Sequence, residues 1–239
     1  MLILHILSPG DHTWSKKQLF LGRRDISLTS KGRKQAQKIA KILKDASITA
    51  IFSSTNTNAR QYAYIIQEQL CKEEIEKAKA ARRLEGKTSD SRAAYLSQSK
   101  RNAHASIKVH RAPALDNLNM GTWQGKYKEE VVGRYPQEWC QWLESPDSFT
   151  FTNGDNPASR HHDFFLFIDG LYSEQLFDQH YLLITHEFFI ASLLLKINKE
   201  TLVKIHQYQI PDASYLIVGY NQNHEYQLLQ PLIQVDPFL

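Results

Sequence analysis

The chain has 239 residues, of which 42% are hydrophobic and 11% aromatic, and this is enough for a substantial core. It carries two cysteines, which excludes a disulfide framework and favours a reduced, cytoplasmic location. The net charge of +4 does not indicate nucleic-acid binding, because residues 72–101 alone hold nine basic and five acidic residues. That surplus of four leaves the rest of the chain neutral.

No membrane association is expected either. The longest apolar stretch, residues 181–197, contains His186, Glu187 and Lys196, and it is too short and too polar to span a bilayer. The apolar run at the N-terminus has no basic region before it and no small-residue cleavage site after it, so no signal peptide is expected.

Strands alternate with helices along the chain. Residues 2–7 form an apolar strand that Ser8-Pro9-Gly10 ends sharply. Thr29 is a good N-cap for a helix over residues 30–43, which has apolar or small residues at helical spacing. A β-branched strand over 48–52 and a long helix over 57–85 follow, and Gly86 is a natural stop for that helix.

The second half continues the same alternation. Residues 128–143 are predicted to be helical with a break at Pro136, and residues 213–220 and 226–232 form a closing hairpin. Strands alternating with helices predict an α/β fold, a three-layer sandwich with a mostly parallel central sheet flanked by helices. The remaining predicted elements are a helix at 89–103, a strand at 107–109, loops at 115–125 and 145–156, a helix at 160–176, a strand at 180–185 and a helix at 188–197.

The turn after the first strand is the candidate ligand site. In α/β sheets, ligands bind where a strand ends in a glycine turn at the carboxyl edge. A pocket is therefore expected at residues 8–15.

Four segments, in the right order, resemble the motifs of one family. Residues 22–36 (GRRDISLTSKGRKQA) are similar to G-R-x-D-x-P-L-T-x-x-G-x-x-Q-A, and residues 51–54 (IFSS) to the strand before S-P-L-x-R-A. Residues 121–125 (GTWQG) are similar to G-x-W-E-G, and residues 184–186 (ITH) to the strand that ends in a second catalytic histidine. The chain thus resembles the histidine phosphatase superfamily, with its phosphoglycerate mutase-like fold.

The resemblance implies phosphoryl transfer to a histidine, with two arginines and a second histidine on the phosphate and a glutamate as the acid. Aligned on Trp14, the first arginine falls on Ser8 and the nucleophilic histidine on Pro9. The other pocket positions on this loop are Gly10, which keeps the family glycine, Asp11 and His12, which stand where Glu and Thr are usual, and Ser15, at a phosphate-contacting asparagine.

The later motifs depart from the family in the same way. The second arginine falls on Asn58 and the general acid on Asn117. His186 matches the second catalytic histidine, but Glu187 replaces the small glycine after it. Arg23, from the segment 22–36, completes the predicted pocket.

These replacements argue against the family reaction. Proline has no nucleophilic side chain, asparagine does not deliver a proton at neutral pH, and both phosphate-gripping guanidinium groups are gone. Loss of a nucleophile alone removes roughly 10⁶-fold in rate in a well-studied triad enzyme. The sequence predicts a degenerate member with a binding or regulatory role, or a re-purposed pocket for a small molecule. The alternative is a phosphomonoester phosphatase, or another hydrolase or lyase, that uses His186 and His12 in a rebuilt site.

Other histidines allow more than one interpretation. His5 is expected to be a hydrogen-bonded core residue, and His12 either faces His186 across the pocket or is bonded locally. A metal held by Asp11, His12 and His186, with Asp155 or residues 161–163, is a weaker alternative, and we expect no metal and no cofactor. Residues 161–163 are expected to be the polar face of a helix start.

Residues 1–239 are expected to form a single domain with a basic helical insertion at about 72–106, longer than the usual family connection. This insertion is either a contact surface for a protein partner or for self-association, or a solvated excursion. Residues 120–156, with Trp123, Trp139, Trp142, Tyr127 and Tyr135, form either an aromatic lid or ordinary packing.

Overall fold

The computed structural model describes residues 1–17, 19–85, 107–173 and 179–236. The strands are β1 (Leu2–Leu7), β2 (Ala50–Ser53), β3 (Lys108–Arg111), β4 (Gln179–Ile184), β5 (Ser214–Tyr220) and β6 (Tyr226–Gln234). The helices are α1 (Ser30–Leu43), α2 (Thr57–Glu85), α3 (Lys128–Arg134), α4 (Pro136–Glu144), α5 (Pro157–Ser173) and α6 (Glu187–Ile197). Short 3-10 helices occupy Pro113–Leu115, Gly121–Trp123 and Leu202–Gln207.

The six strands form one sheet in the order β3-β2-β4-β1-β5-β6. The four strands from β3 to β1 are mutually parallel. On the other side of β1, β5 pairs antiparallel with β1, and β6 pairs antiparallel with β5. The predicted α/β fold with a mostly parallel, helix-covered sheet is confirmed.

Helices cover both faces of this sheet because each strand contributes apolar side chains to two cores. On one face, Leu7 and neighbouring strand residues pack with α1 and α2. On the other face, Leu2, Leu4 and Ile6 pack with α5, α6 and the aromatic residues of the 120–156 segment. The N-cap of α1 is the predicted one, since the Thr29 side chain accepts a hydrogen bond from the backbone N–H of Gly32.

Several element bounds differ from the sequence predictions. Strands predicted at 48–52, 107–109 and 180–185 are displaced by one or two residues, and the helix predicted at 160–176 spans Pro157–Ser173. The break at Pro136 is confirmed, because α3 ends at Arg134 and α4 begins at the proline. Residues 115–125 contain a 3-10 turn rather than loop alone. The predicted helix at 89–103, and most of the insertion at 72–106, lie outside the described residues.

The aromatic residues of the 120–156 segment pack internally. Trp123 is fully buried and contacts the rings of Phe151, Phe149 and Trp139 at centroid distances of 5.2–5.8 Å. Trp142 joins the same core cluster, whereas Tyr127 is 52% exposed. Of the two interpretations left open, the structure favours ordinary packing over an aromatic lid.

Strand β6 is an edge of the sheet, and it carries no charged residue. Its pairing with β5 is interrupted by two register shifts near Ile217. Leu228, Leu229 and Ile233 on β6 are each about two-fifths exposed.

In the part of the chain that the structure describes, no helix has the length and apolar content needed to cross a membrane.

His5 is held in the core of the sheet as expected. It is 3% exposed, its Nδ1 lies 2.8 Å from the Tyr215 hydroxyl, and its Nε2 lies 3.1 Å from His180 Nδ1. Burial, together with the charge of His180, lowers the pKa of His5 from 6.5 to about 4. His5 is therefore neutral in the folded protein at pH 7.

Because His5 is buried in its neutral form, the free energy of unfolding depends on pH. Because the pKa is lowered in the folded state, the unfolded chain binds more protons below pH 6.5, and stability falls as the pH drops towards 4. We expect His5 to account for about 2 kcal/mol of the loss in unfolding free energy between pH 7 and pH 4.5. Urea unfolding at both pH values should show a smaller loss for His5→Gln than for wild type, while exposed His162→Gln should match wild type. Equal losses in wild type and His5→Gln would contradict the assignment.

The turn after β1 packs closely against α1 and α2. A Cβ built on Gly10 would lie 2.8 Å from Tyr62 Cε2 and 2.9 Å from both Cα and O of Gly32. Two of these neighbours are backbone atoms, which cannot move without shifting α1. Gly10 therefore fills a structural position in which a side chain does not fit.

Substitution of Gly10 by alanine should consequently destabilise the protein. We expect Gly10→Ala to lower the unfolding free energy by about 1–3 kcal/mol through overpacking. Gly133→Ala is the matched control, since nothing lies within 4 Å of its Cβ position in α3. The control should gain roughly 0.5 kcal/mol from helix propensity. Chemical denaturation measures both changes, and a neutral Gly10→Ala would show that the turn adapts freely.

Candidate functional site

His186 follows β4 directly, at the carboxyl edge of the parallel strands. It is 4% exposed, and its Nε2 lies 3.0 Å from the hydroxyl of Ser54, which follows the neighbouring strand β2. The site is therefore built where ligands of parallel α/β sheets bind.

Ser54 belongs to a buried polar network behind His186. Its hydroxyl lies within hydrogen-bond distance of Asp116 Oδ1, at 3.1 Å, and of Asn56 Oδ1, at 2.9 Å. Asp116 also accepts from the backbone N–H of Thr55 at 2.5 Å and from the Thr55 hydroxyl at 2.7 Å. The carboxylate that fixes this network is thus saturated by protein donors, and the network positions the His186 ring.

Burial, together with the nearby charges of His12 and Arg23, lowers the pKa of His186 to about 3. The imidazole is therefore neutral at physiological pH. A neutral ring does not supply the fixed positive charge that stabilises a transferring phosphoryl group.

Ser8 and Pro9 at the end of β1 are tied to the start of β5. The Ser8 hydroxyl donates to the carbonyl of Pro211 at 2.9 Å and accepts from the N–H of Ser214 at 2.8 Å. The Pro9 carbonyl accepts from the N–H of Ala213 at 2.9 Å. Both residues are buried, so they form the floor of the site and their polar atoms are already bonded.

Asp11 and Ser15 brace the same loop. The Asp11 carboxylate accepts from the Thr29 hydroxyl at 2.5 Å. The backbone N–H of Asp11 donates to Gln35 Oε1. The Ser15 hydroxyl accepts from the N–H of His12 at 2.8 Å. These bonds fix the loop to the start of α1.

His12 makes the local bond that one of its two interpretations predicts, and its facing His186 stays a prediction. Its Nδ1 accepts from the N–H of Trp14 at 3.2 Å, which is the local bond. Its Nε2 lies 3.9 Å from Asp212 Oδ1, on the segment before β5. Burial lowers the pKa of His12, and the carboxylates of Asp212 and Asp11 oppose that shift.

Arg23 is the cationic side chain next to His186, but it is already paired. Its Nε donates to the carbonyl of Asn117 at 2.9 Å, and its Nη2 lies 2.7 Å from Asp155 Oδ2. Asp155 also accepts from the N–H of Asn119 and lies 3.5 Å from Arg160. A phosphate at this site would have to compete with a carboxylate for the guanidinium group.

The two asparagines at the predicted arginine and acid positions are buried and locally bonded. Asn58 Oδ1 accepts from the N–H of Ala59, and Asn117 Oδ1 accepts from the N–H of Leu118, both at 2.9 Å. The backbone N–H of Asn117 donates to Asn56 Oδ1, so Asn117 joins the network behind His186. Within the described residues no hydrogen bond links Asn58 to His186, and the role of Asn58 as a pocket residue stays a prediction.

Glu187 is the first residue of α6, directly after His186. Its side chain is exposed to solvent, yet desolvation by surrounding protein raises its pKa, with the charge of Asp212 adding to the shift. A backbone hydrogen bond from Ile210 opposes the shift.

The metal alternative receives no support from the geometry. Among residues 1–17, 19–85, 107–173 and 179–236, no three histidine, cysteine, aspartate or glutamate side chains converge as metal ligands would. His161 is half-buried rather than a purely polar surface residue, because its ring packs on Phe165, whereas His162 and Asp163 are exposed.

Sequence reasoning missed four residues that shape this site: Ser54, Asp116, Asp155 and Asp212. Ser54 ends the segment 51–54 that resembles a family motif, and Asp116 directly precedes the predicted position Asn117. Asp155 was named only as a metal ligand. No local sequence pattern marks Asp212, because only the antiparallel pairing of β5 with β1 brings it next to Pro9.

Comparison with known proteins agrees with the observed α/β fold. The model of the histidine phosphatase superfamily (branch 1) matches residues 9–82 and 76–230. Phosphoserine phosphatase 1 of Hydrogenobacter thermophilus is 21% identical over 218 residues, which cover 91% of this chain and 86% of that protein. The 2,3-bisphosphoglycerate-dependent phosphoglycerate mutase of Chlamydia muridarum is 25% identical over 151 residues, and the match spans 58% of each protein.

Solved structures share the whole architecture. A phosphoserine phosphatase mutant from Entamoeba histolytica, in complex with phosphoserine, superposes with a TM-score of 0.73 at 18% identity over the full length of both chains. The α-ribazole phosphatase of Shigella flexneri gives a TM-score of 0.71 at 17% identity over 95% of each chain. At these identities the likeness establishes the fold, and the family match over most of the sequence establishes the lineage. The chain belongs to the histidine phosphatase superfamily.

Proposed function

We propose that this chain is a binding or regulatory member of its superfamily that does not form a phosphohistidine. The observation that carries the proposal is Pro9 at the tip of β1, where the resemblance places the nucleophile. Proline offers no side-chain nucleophile, and the Pro9 carbonyl is bonded to Ala213. The cysteine content supports a cytoplasmic setting for this role.

The electrostatics of the cleft support the same proposal. Phosphoryl transfer depends on fixed positive charge around the phosphate oxygens. Here His186 is neutral, Arg23 is paired with Asp155, and Asn58 and Asn117 are uncharged. A phosphate dianion therefore meets little uncompensated positive charge in this cleft.

One observation favours a competing function. His12 follows β1 and His186 follows β4, its parallel neighbour, so the two imidazoles are a candidate acid–base or nucleophilic pair. Under this alternative the protein is a phosphomonoester phosphatase, as its relative from Hydrogenobacter is named.

A phosphatase assay separates the two functions. We expect purified protein to hydrolyse p-nitrophenyl phosphate and O-phosphoserine no faster than buffer, and mass spectrometry after mixing to show no phosphoryl adduct on His12 or His186. Loss of the nucleophile accounts for a deficit of roughly 10⁶-fold against an active enzyme.

Two variants guard against a contaminating phosphatase. His186→Ala removes the ring in the cleft, and His162→Ala removes an exposed histidine on α5. Any trace rate should be equal in wild type and in both variants. A rate that His186→Ala abolishes and His162→Ala preserves would overturn the proposal in favour of the phosphatase.

A further inference from the structure

The hydroxyl of Ser54 has four polar neighbours, and together they fix the direction of its single proton. Asn56 Oδ1 lies 2.9 Å from Ser54 Oγ, and Asp116 Oδ1 lies 3.1 Å from it. The backbone N–H of Asn56 points at the same oxygen from 3.1 Å, and His186 Nε2 lies 3.0 Å away. A serine hydroxyl has one proton to donate and two lone pairs that accept. It can therefore bond all four neighbours only if two of them are donors.

The two oxygens beside Ser54 are both acceptors. Asp116 presents a carboxylate oxygen, which only accepts. The Oδ1 of Asn56 is fixed as the amide oxygen because it also accepts from the backbone N–H of Asn117 at 3.2 Å. The Ser54 proton must point towards these two oxygens, since their lone pairs would otherwise repel those of the hydroxyl. The two donors to Ser54 are then the N–H of Asn56 and the Nε2 of His186.

This arrangement selects one tautomer of the His186 ring. A neutral imidazole carries its proton on one nitrogen and leaves the other as an acceptor. With the proton on Nε2, the acceptor is Nδ1. His186 is only 4% exposed, yet within the described residues its Nδ1 has no hydrogen-bond partner and is not enclosed by protein. The ring therefore presents a lone pair to a ligand, whereas a histidine that holds a phosphate has to donate a proton.

Asn117 supplies a second unpartnered group next to the same network. Its Oδ1 accepts from the N–H of Leu118, which leaves the Nδ2 group as the free end of the amide. Across the parts of the chain that the structure describes, this Nδ2 has no hydrogen-bond partner, and protein does not enclose it. Asn117 is 9% exposed. The site thus offers an uncharged donor in addition to the acceptor on His186.

We infer that Ser54 holds His186 as its Nε2–H tautomer, and that His186 Nδ1 accepts a hydrogen bond from a hydroxyl group of an uncharged ligand. A hydroxyl group both donates and accepts. A molecule with neighbouring hydroxyl groups bonds Nδ1 with one of them and the amide of Asn117 with another. The oxygens of a phosphoryl dianion only accept, so the lone pair of Nδ1 repels them. This inference rests on the proposed binding function and adds the chemistry that the site recognises.

The tautomer can be measured directly on the ¹⁵N-labelled protein. Long-range ¹H–¹⁵N correlation spectra distinguish a protonated from an unprotonated ring nitrogen, and the spectrum of His186→Gln assigns the resonances by difference. At pH 7 we expect a protonated Nε2 and an unprotonated Nδ1. A protonated Nδ1, or an even mixture of the two tautomers, would overturn the inference.

Two neighbouring serines provide a matched pair of variants. Ser54→Ala removes the acceptor for Nε2–H, so both tautomers should become populated. Ser53→Ala is the control, because Ser53 is equally buried and its hydroxyl donates to the carbonyl of Ser54. The control should keep the single tautomer. If Ser54→Ala also keeps it, another group fixes the ring and the assignment to Ser54 is wrong. The wild-type spectrum remains decisive if a variant does not fold.

Three probes test the ligand class on the intact protein. Ethylene glycol supplies neighbouring hydroxyl groups, 1,2-dimethoxyethane supplies the same oxygens without donors, and sodium sulfate supplies a dianion without donors. We expect ethylene glycol to shift the Nδ1 resonance of His186 saturably, and the other two probes to leave it in place. A shift caused by sulfate alone, or no shift with any probe, contradicts the proposed ligand class.

Asn117→Asp tests the second contact. The substitution keeps the oxygen that accepts from Leu118 and removes the amide donor, so it should weaken ethylene glycol binding severalfold without changing the tautomer of His186. His162→Gln, on the exposed face of α5, is the control and should leave the affinity unchanged. Unchanged affinity in Asn117→Asp would remove the amide from the site.

These results can be told apart from those of the phosphatase assay. Absence of hydrolysis together with absence of ethylene glycol binding overturns the ligand class alone. Hydrolysis that depends on His186 overturns the proposed function, and the uncharged ligand with it.

Discussion

Strand β1 pairs with two partners of opposite direction, and the whole site depends on that arrangement. Its parallel neighbour β4 ends beside it and delivers His186, while its antiparallel neighbour β5 begins beside it and delivers Asp212. Backbone bonds from Thr185 to Leu7 and from Ala213 to Pro9 close both sides. One strand end therefore gathers residues from three distant parts of the chain, and any ligand at Pro9 meets a neutral imidazole on one side and a carboxylate on the other.

The fold could be predicted well from local patterns because its elements carry clear signals. Thr29 before an amphipathic segment and Pro136 between two helical runs marked real boundaries. Strand ends were less certain, since β2 and β3 have four residues each and their limits are set by pairing rather than by composition. The residues of the site could be predicted only in part. Motif positions located Pro9, Asn58, Asn117 and His186, but Asp212 entered only through long-range strand pairing.

The polar groups of the site are held by hydrogen bonds, although their charges differ from those that the family resemblance implies. Where the resemblance expects arginine and glutamate, this chain has asparagines whose amide oxygens bond adjacent backbone N–H groups. Asp116, Ser54 and Thr55 still hold the region behind His186, because the Asp116 carboxylate accepts from the protein's own hydroxyl and N–H groups. Such bonds satisfy buried polar atoms without leaving charge for a substrate. The architecture shared with phosphatases and mutases is therefore compatible with a cleft of different electrostatic character.

The uncharged edge strand β6 has a consequence for behaviour at high concentration. Exposed strand edges pair readily with other chains, and charged side chains are a common deterrent. From Tyr226 to Gln234 this chain has none, and its protection comes from Pro231, which lacks a backbone donor, and from the bulged pairing with β5. Resistance of this edge to pairing with another chain thus relies on backbone irregularity rather than on charged side chains.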